Sequence, residues 1–171
     1  MEIKLQTCLL RRWRIGDEQS LVYHANNRKV WINLLDGFPF PYTFADAQHW
    51  VHHVSRESPV RNFAIEVDGN AVGSIGIHPK RDVYRKSAGI GYWLGEEFWG
   101  RGIATESVRA MIDYSFSHFD LCRLYAGVFE WNGASMRVLE KAGFSFEARM
   151  RKSVTKDGKT IDEYIYAIVR P

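Results

Sequence analysis

Residues 96–112 read EEFWGRGIATESVRAMI. Gly100 and Gly102 flank Arg101. Directly after them Ala104, Val108, Met111, Ile112 and Phe116 recur at the spacing of one helix face. A surface turn needs one glycine at most. Two glycines and a cation at the mouth of a helix let an anion approach the backbone. The first helical N–H groups have no partner inside the helix, the dipole puts its positive end there, and glycine has no Cβ to stand in the way. Arg101 adds a charge-assisted donor. The strand-like run SAGIGYWL, Ser87 to Leu94, lies just upstream, so strand, glycine turn and helix together make a phosphate cradle. A plain glycine-rich entry to a core helix fits the same local pattern. A dinucleotide-binding fold does not, because Thr105 stands where GxGxxG needs its third glycine and the first glycine does not follow the strand directly. No Gly-Lys-Ser/Thr follows, which excludes a Walker loop.

Other chemistries find little support. His49 and His53 fall at i and i+4, with His52 beside them, but no third ligand is placed near them and there is no HExxH frame, so no metal is expected. Cys8 and Cys122 have no CxxC partner and fall in strand-like runs, where buried free thiols are expected. No Cys or Ser nucleophile stands with a His partner, which argues against a covalent enzyme intermediate. The 23 Lys and Arg against 20 Asp and Glu leave +3. That suits a pocket for an anionic ligand and lacks the basic stripe of a nucleic-acid binder. There is no signal-peptide pattern and no run of ~18 apolar residues. A cytoplasmic protein with no membrane and no nucleic-acid partner is expected.

Stepping outward to the elements that must carry the turn, the 171 residues, 46% of them hydrophobic, suit a single domain, 1–171, with a sizeable core. Residues 3 to 12 read as a first strand. Asp17 to Asn27 reads as a short helix with an Asp cap, and Thr43 caps a helix from Phe44 to about Arg56. Between them, residues 28 to 43 are apolar but broken by Asp36-Gly37, Pro39 and Pro41. Phe63 to Val67 and Ala71 to Ile77 flank Asp68-Gly69-Asn70, a hairpin signal. Leu121 to Phe129 alternates as a strand. Asn132 caps a helix from Gly133 to Ala142 that Gly143 stops, and two closing strands, about 144 to 155 and 160 to 169, are joined by Lys156-Asp157-Gly158-Lys159. Strands outnumber helices and mix hairpins with crossovers, so the fold class is α+β (mixed α/β).

Three blocks follow one another in order: IGYWLGEEFWGRGIATES; Asn132-Gly133-Ala134-Ser135 with VLEKAGF; and RKSVTKDGKTIDEYIYA. Together they closely resemble the Gcn5-related N-acetyltransferase (GNAT) family, in the branch typified by the RimJ/RimL enzymes. The phosphate turn of that family usually opens with Arg or Gln, where Trp99 stands here. The resemblance implies a twisted, mostly antiparallel sheet of six to seven strands flanked by about four helices. It also implies acetyl-CoA as co-substrate, without metal, and direct transfer to a primary amine in a ternary complex. The acceptor is a protein N-terminus, an amino acid, a polyamine or an amine-bearing drug. Gly100, Arg101, Gly102, Ile103, Ala104 and Thr105 would hold the pyrophosphate. Tyr92, Trp93 and Leu94 would line the pantetheine arm, with Asn132 bonding to it as well as capping its helix. Arg101, Arg137 and Lys141 are candidates for the 3′-phosphate. Ser135 matches the serine proposed to protonate the leaving thiolate, and Trp31, Phe38, Phe40 and Tyr42 fall in the region that lines the acceptor side, though ordinary core aromatics fit that segment equally. Many relatives carry a basic glutamate in this strand, in AEIGYW; here it is Gly89, so Glu66, Glu130, Tyr164 or an ordered water stand as base candidates. The missing glutamate keeps open a non-catalytic CoA-binding module, and the state is monomer or homodimer.

Overall fold

The computed structural model describes residues 1–170. Among them are eight strands, β1 (Glu2–Lys4), β2 (Leu9–Arg12), β3 (Asn62–Val67), β4 (Asn70–Pro79), β5 (Ser87–Leu94), β6 (Arg123–Phe129), β7 (Ser145–Lys156) and β8 (Lys159–Val169). Five α-helices accompany them, α1 (Glu18–Ala25), α2 (Arg28–Trp31), α3 (Phe44–Val54), α4 (Ile103–His118) and α5 (Gly133–Ala142). This is the expected mixed α/β class, with a longer strand and helix count than expected. The extra strand comes from the N-terminus, which is two strands and not one. Leu5 N–H bonds to Cys8 C=O at 2.9 Å, so the chain turns and β1 folds back antiparallel on β2. The turn is held from outside: the Glu106 carboxylate accepts from Gln6 N–H at 2.7 Å, from Thr7 N–H at 3.0 Å and from the Thr7 hydroxyl. The extra helix is α2, a single turn inside the segment expected to be irregular, capped by Asn27.

The chain divides into two compact units, Met1–Gly76 with Tyr92–Ser107, and Ile77–Gly91 with Val108 onward. In the first, β2 pairs antiparallel with β3, and β3 forms a hairpin with β4. The hairpin turn places Asp68 at φ 49° and Gly69 at φ 82°, the left-handed pair that an Asp-Gly turn favours. Trp13, Leu21, Ala25, Tyr42, Ala47, Val51, Val54, Ala64 and Ala71 form its core. Full burial of one larger member contributes about 1.5–3 kcal/mol. α3 starts as predicted, with Thr43 and Asp46 making a reciprocal capping box. Asp17 does not cap α1. Its carboxylate accepts two bonds from Arg11, at 2.7 and 2.8 Å, because the buried Arg11 needs counter-charge more than the exposed helix end needs a cap.

In the second unit, Lys80 N–H bonds to Ser87 C=O at 2.9 Å where β4 meets β5. β5 pairs parallel with β6, β6 antiparallel with β8, and β8 forms a long hairpin with β7. α5 ends at Gly143 with φ 101°, as its sequence predicts, and Arg109 bonds its late carbonyl at Lys141 at 2.6 Å. α5 lies on the face of β8 that carries Tyr166 and Ile168: the Tyr166 hydroxyl bonds to Glu140 at 3.1 Å, and Ile168 sits against Gly143. Cys8 is buried as expected, but Cys122 is exposed, because it precedes the first paired residue of β6.

Candidate active site

In the first unit, β5 ends and the chain turns back before α4. Gly95 N–H bonds to Val72 C=O at 2.8 Å, which holds the strand end on β4. The Trp99 indole N–H donates to Leu94 C=O at 2.7 Å. Trp99 therefore clamps the turn to the strand it leaves, which gives this departure from the usual Arg or Gln a physical role. Gly100 follows at φ 75° and Gly102 at φ 81°, and a Cβ at either would meet nothing within 4 Å. These glycines are needed for backbone shape, and the space over them is open. The helix begins at once: Glu106 N–H bonds to Gly102 C=O at 3.0 Å, and the preceding amides of Ile103, Ala104 and Thr105 lie in the unpaired first turn.

The acids around this mouth are all spoken for. Glu96 accepts from Asn27 at 2.9 Å and from Lys29, which holds its carboxyl below the usual range, and Glu97 accepts from the Tyr23 hydroxyl at 2.9 Å. Burial would raise the Glu106 carboxyl, but its bonds from Thr7 and Gln6 outweigh this and hold it low. Arg101, exposed, lies over the Phe98 ring at 5.2 Å. The mouth of α4 therefore presents positive potential.

Among the aromatics expected on the acceptor side, Trp31 and Phe40 stack at 5.5 Å, with Phe40 exposed. Tyr42 is core: it is 5% exposed, packs on Phe38 at 4.8 Å, and burial pushes its phenol up to about 12. Phe38 in turn meets the edge of Trp93 at 5.7 Å, so Trp93 is tied to the core and Leu94 is buried beside it. Glu66 accepts from Arg11 and, at 3.0 Å, from Arg14. It serves as the counter-charge of a buried guanidinium.

In the second unit, the β5–β6 ladder runs for three residue pairs, Ser87–Arg123, Ala88–Leu124 and Gly89–Tyr125, and stops. Ile90 and Gly91 of β5 and Ala126 to Phe129 of β6 have no ladder partner in each other. Two neighbouring strands that part company leave backbone donors and acceptors for an extended ligand. Just past β6, the Asn132 side chain accepts from Ser135 N–H at 3.2 Å and caps α5, so Ser135 stands on the first turn, half-buried. Glu130 accepts from Asp162 N–H at 3.2 Å. Asp162 itself is held low, first by Lys152 N–H and then by Arg149, and the Arg149 guanidinium lies 6.0 Å from the Tyr164 ring. Glu130, Asp162, Arg149 and Tyr164 thus form one polar network. Arg137 and Lys141 are exposed on α5, and His49, His52 and His53 face solvent on α3. Among the described residues no three His, Cys, Asp or Glu side chains are grouped to hold a metal, and no helix is long and apolar enough to cross a membrane.

The sequence reading missed two residues that shape the site. Trp99 was noted only as a departure. His24 was not singled out at all, yet its ring packs on Gly95, where a Cβ would sit 2.6 Å from Nδ1, and meets Phe98 edge-on. The buried Gly95 is the only local sign of that contact.

The family model described as an acetyltransferase (GNAT) domain matches residues 8–145. "Probable N-acetyltransferase YjcK" of Bacillus subtilis is 40% identical over 61% of this chain and 58% of that protein. The chain thus aligns with little more than half the length of that relative. An acetyltransferase of the GNAT family from Bacillus anthracis, solved as a crystal structure, superposes with a TM-score of 0.84 at 25% identity, over 99% of this chain and 98% of that one. Mycobacterium smegmatis RimJ, solved with a CoA-disulfide, gives 0.81 at 27% identity, over 95% and 81%. With a splayed pair of strands, a glycine turn opening a helix and a family match over most of its length, this chain belongs to the GNAT acetyltransferase family.

Proposed function

We propose that the chain, as one domain, is an acetyl-CoA-dependent N-acetyltransferase that acts on a primary amine in a ternary complex. The observation that carries this reading is the mouth of α4: two open glycines at positive φ, unpaired amides and neighbouring acids already bound by other donors. The residues fit a diphosphate. The amides of Gly100 to Thr105 hold it, with Arg101 as an added donor; Lys141 and Arg137 are the cations for a more distant phosphate. In the first unit Tyr92, Trp93 and Leu94 are the candidates to line the arm of the ligand, and in the second unit Asn132 is the candidate to bond to it. Acetyl-CoA, when bound, supplies an activated thioester. Ser135, on the first turn of α5, is the candidate to give a proton to the leaving sulfur. Trp31 and Phe40 present an apolar ledge to the acceptor, while Tyr42 packs on Phe38 in the core. Of the three base candidates, Glu66 is committed to Arg11 and Arg14, while Glu130 and Tyr164 belong to the Asp162 network.

Thermal-shift titration tests the reading. Acetyl-CoA and CoA are expected to raise the melting temperature, and NAD to leave it unchanged. Stabilisation by NAD but not by CoA would overturn it. Stabilisation by CoA with no thiol release over a panel of amines and N-terminal peptides would leave the binding module, which Gly89, lacking a carboxylate, favours.

A further inference from the structure

Among the described acids of the second unit, Glu163 is half-buried and has no committed partner. We infer that Glu163 is the carboxylate that receives the acceptor's ammonium group and takes its proton, working across a floor of glycines on the face of β6 and β8 opposite α5. This rests on the transferase reading above.

The face is defined by register. Phe129 of β6 pairs with Glu163 of β8, Gly127 with Ile165, and Tyr125 with Ala167, while β5 adds Gly89 beside Tyr125. Tyr166 and Ile168, which meet α5, point the other way. Three positions on the open face have no side chain. A Cβ at Gly127 would lie 2.1 Å from Glu163 Oε1, so the carboxyl fills the space that a residue 127 side chain would take. A Cβ at Gly89 would come no nearer than 3.6 Å to the Tyr125 hydroxyl, and one at Gly91 would lie 3.9 Å from His78 Nε2. Glu163, Tyr125 and His78 therefore border a shallow floor made by Gly89, Gly91 and Gly127, where the β5–β6 ladder ends.

The neighbouring cations are paired with groups other than Glu163. Arg149 pairs with Asp162 and Arg123 with Glu147, while Arg123 and Lys80 also lie over the Tyr125 ring at the floor's border, at 5.8 and 5.6 Å. Arg151 acts on Asp162, and across β7 the register partner of Glu163 is Met150, which is uncharged. No hydrogen bond or ion pair reaches the Glu163 carboxyl among the described residues, and burial pushes its proton affinity up. A half-buried carboxylate with no cation of its own attracts one, and a raised carboxyl is a better base near neutral pH. Protons balance. Of the three on the ammonium nitrogen, one passes to Glu163 Oε1 and frees the lone pair that forms the N–C bond. One stays on the amide, and one leaves with the sulfur as the C–S bond breaks.

The test is steady-state kinetics of Glu163→Gln with acetyl-CoA and a primary amine that the parent chain acetylates. The expected result is a fall of kcat/KM for the amine of about 100-fold or more near neutral pH, loss of the acidic limb of the pH profile, and an unchanged KM for acetyl-CoA. Gly127→Ala keeps the carboxylate but displaces it, and is expected to slow the reaction with little change in melting temperature. Adding Gly89→Glu to Glu163→Gln is expected to recover about tenfold or more, since the Gly89 position has room for a Cβ. Activity of Glu163→Gln within threefold of the parent, with the same pH profile, would overturn the inference alone. A parent chain that releases no thiol with any amine would overturn the transferase reading beneath it.

Discussion

Alanine at Gly102 separates what the glycine turn does for the fold from what it does for a ligand. In the free chain Gly102 sits at φ 81° with no atom within 4 Å of the Cβ position, so the new methyl meets nothing. The cost is backbone alone, roughly 1–2 kcal/mol for an L residue in the left-handed region. For a chain of this size that lowers the melting temperature by roughly 2–8 °C. The methyl does stand where a diphosphate must approach the amides at the start of α4. Hydrogen bonds to charged groups contribute about 1.5–3 kcal/mol each, so misaligning one weakens acetyl-CoA roughly 10- to 150-fold. Gly158 is the control: it lies in the β7–β8 turn at φ 73°, equally open. Gly158→Ala carries the same strain and leaves affinity unchanged. Isothermal titration with acetyl-CoA reads one quantity and a thermal scan the other. If Gly102→Ala binds acetyl-CoA within threefold of the parent while both variants lose similar stability, the turn is not a phosphate cradle.

Three further outcomes are expected. Ser135→Ala lowers kcat about 100-fold and leaves acetyl-CoA affinity alone, because Asn132 caps α5; a fall below threefold would remove Ser135 from the chemistry. Burial holds the His24 imidazole below its ordinary value, against the opposing pull of Glu97. The unfolded chain therefore takes up a proton near pH 6.5 that the folded chain resists: the stability is fully present above that pH and is lost as the pH falls towards the folded value. Melting temperature drops between about pH 7.5 and 5.5, and His24→Gln flattens that slope; an unchanged slope would refute the assignment. A thiol reagent modifies Cys122 in the native chain and reaches Cys8 only on unfolding, as their exposures require.

Where a residue's role is local, it was legible in the chain. The Asp68-Gly69 turn, the Thr43 cap, the Asn132 cap, the Gly143 stop and the strand Ser87–Leu94 each follow from backbone preferences of the residues present. Where the role depends on a distant partner, it was not. Asp17 looked like a helix cap until the buried Arg11 claimed it. The first strand looked continuous until Glu106, a hundred residues away, bound the amides of Gln6 and Thr7. Tyr42 fitted the core and the acceptor side equally, because aromatic side chains serve cores and ligands alike, and only its packing on Phe38 decides for the core. Trp99 and Glu163 show the other direction of that limit: one binds a backbone carbonyl, the other fills the space left by a glycine on a neighbouring strand, and neither contact is visible from spacing along the chain.

The most direct measurement is mass spectrometry of acceptor amines after incubation with acetyl-CoA, with and without the protein, over N-terminal peptides, amino acids and polyamines. The account predicts that one amine class gains a single acetyl group only when the protein is present, with one free thiol released per acetyl transferred. Thiol release with no acetylated acceptor, or no reaction in any class despite acetyl-CoA binding, would contradict it.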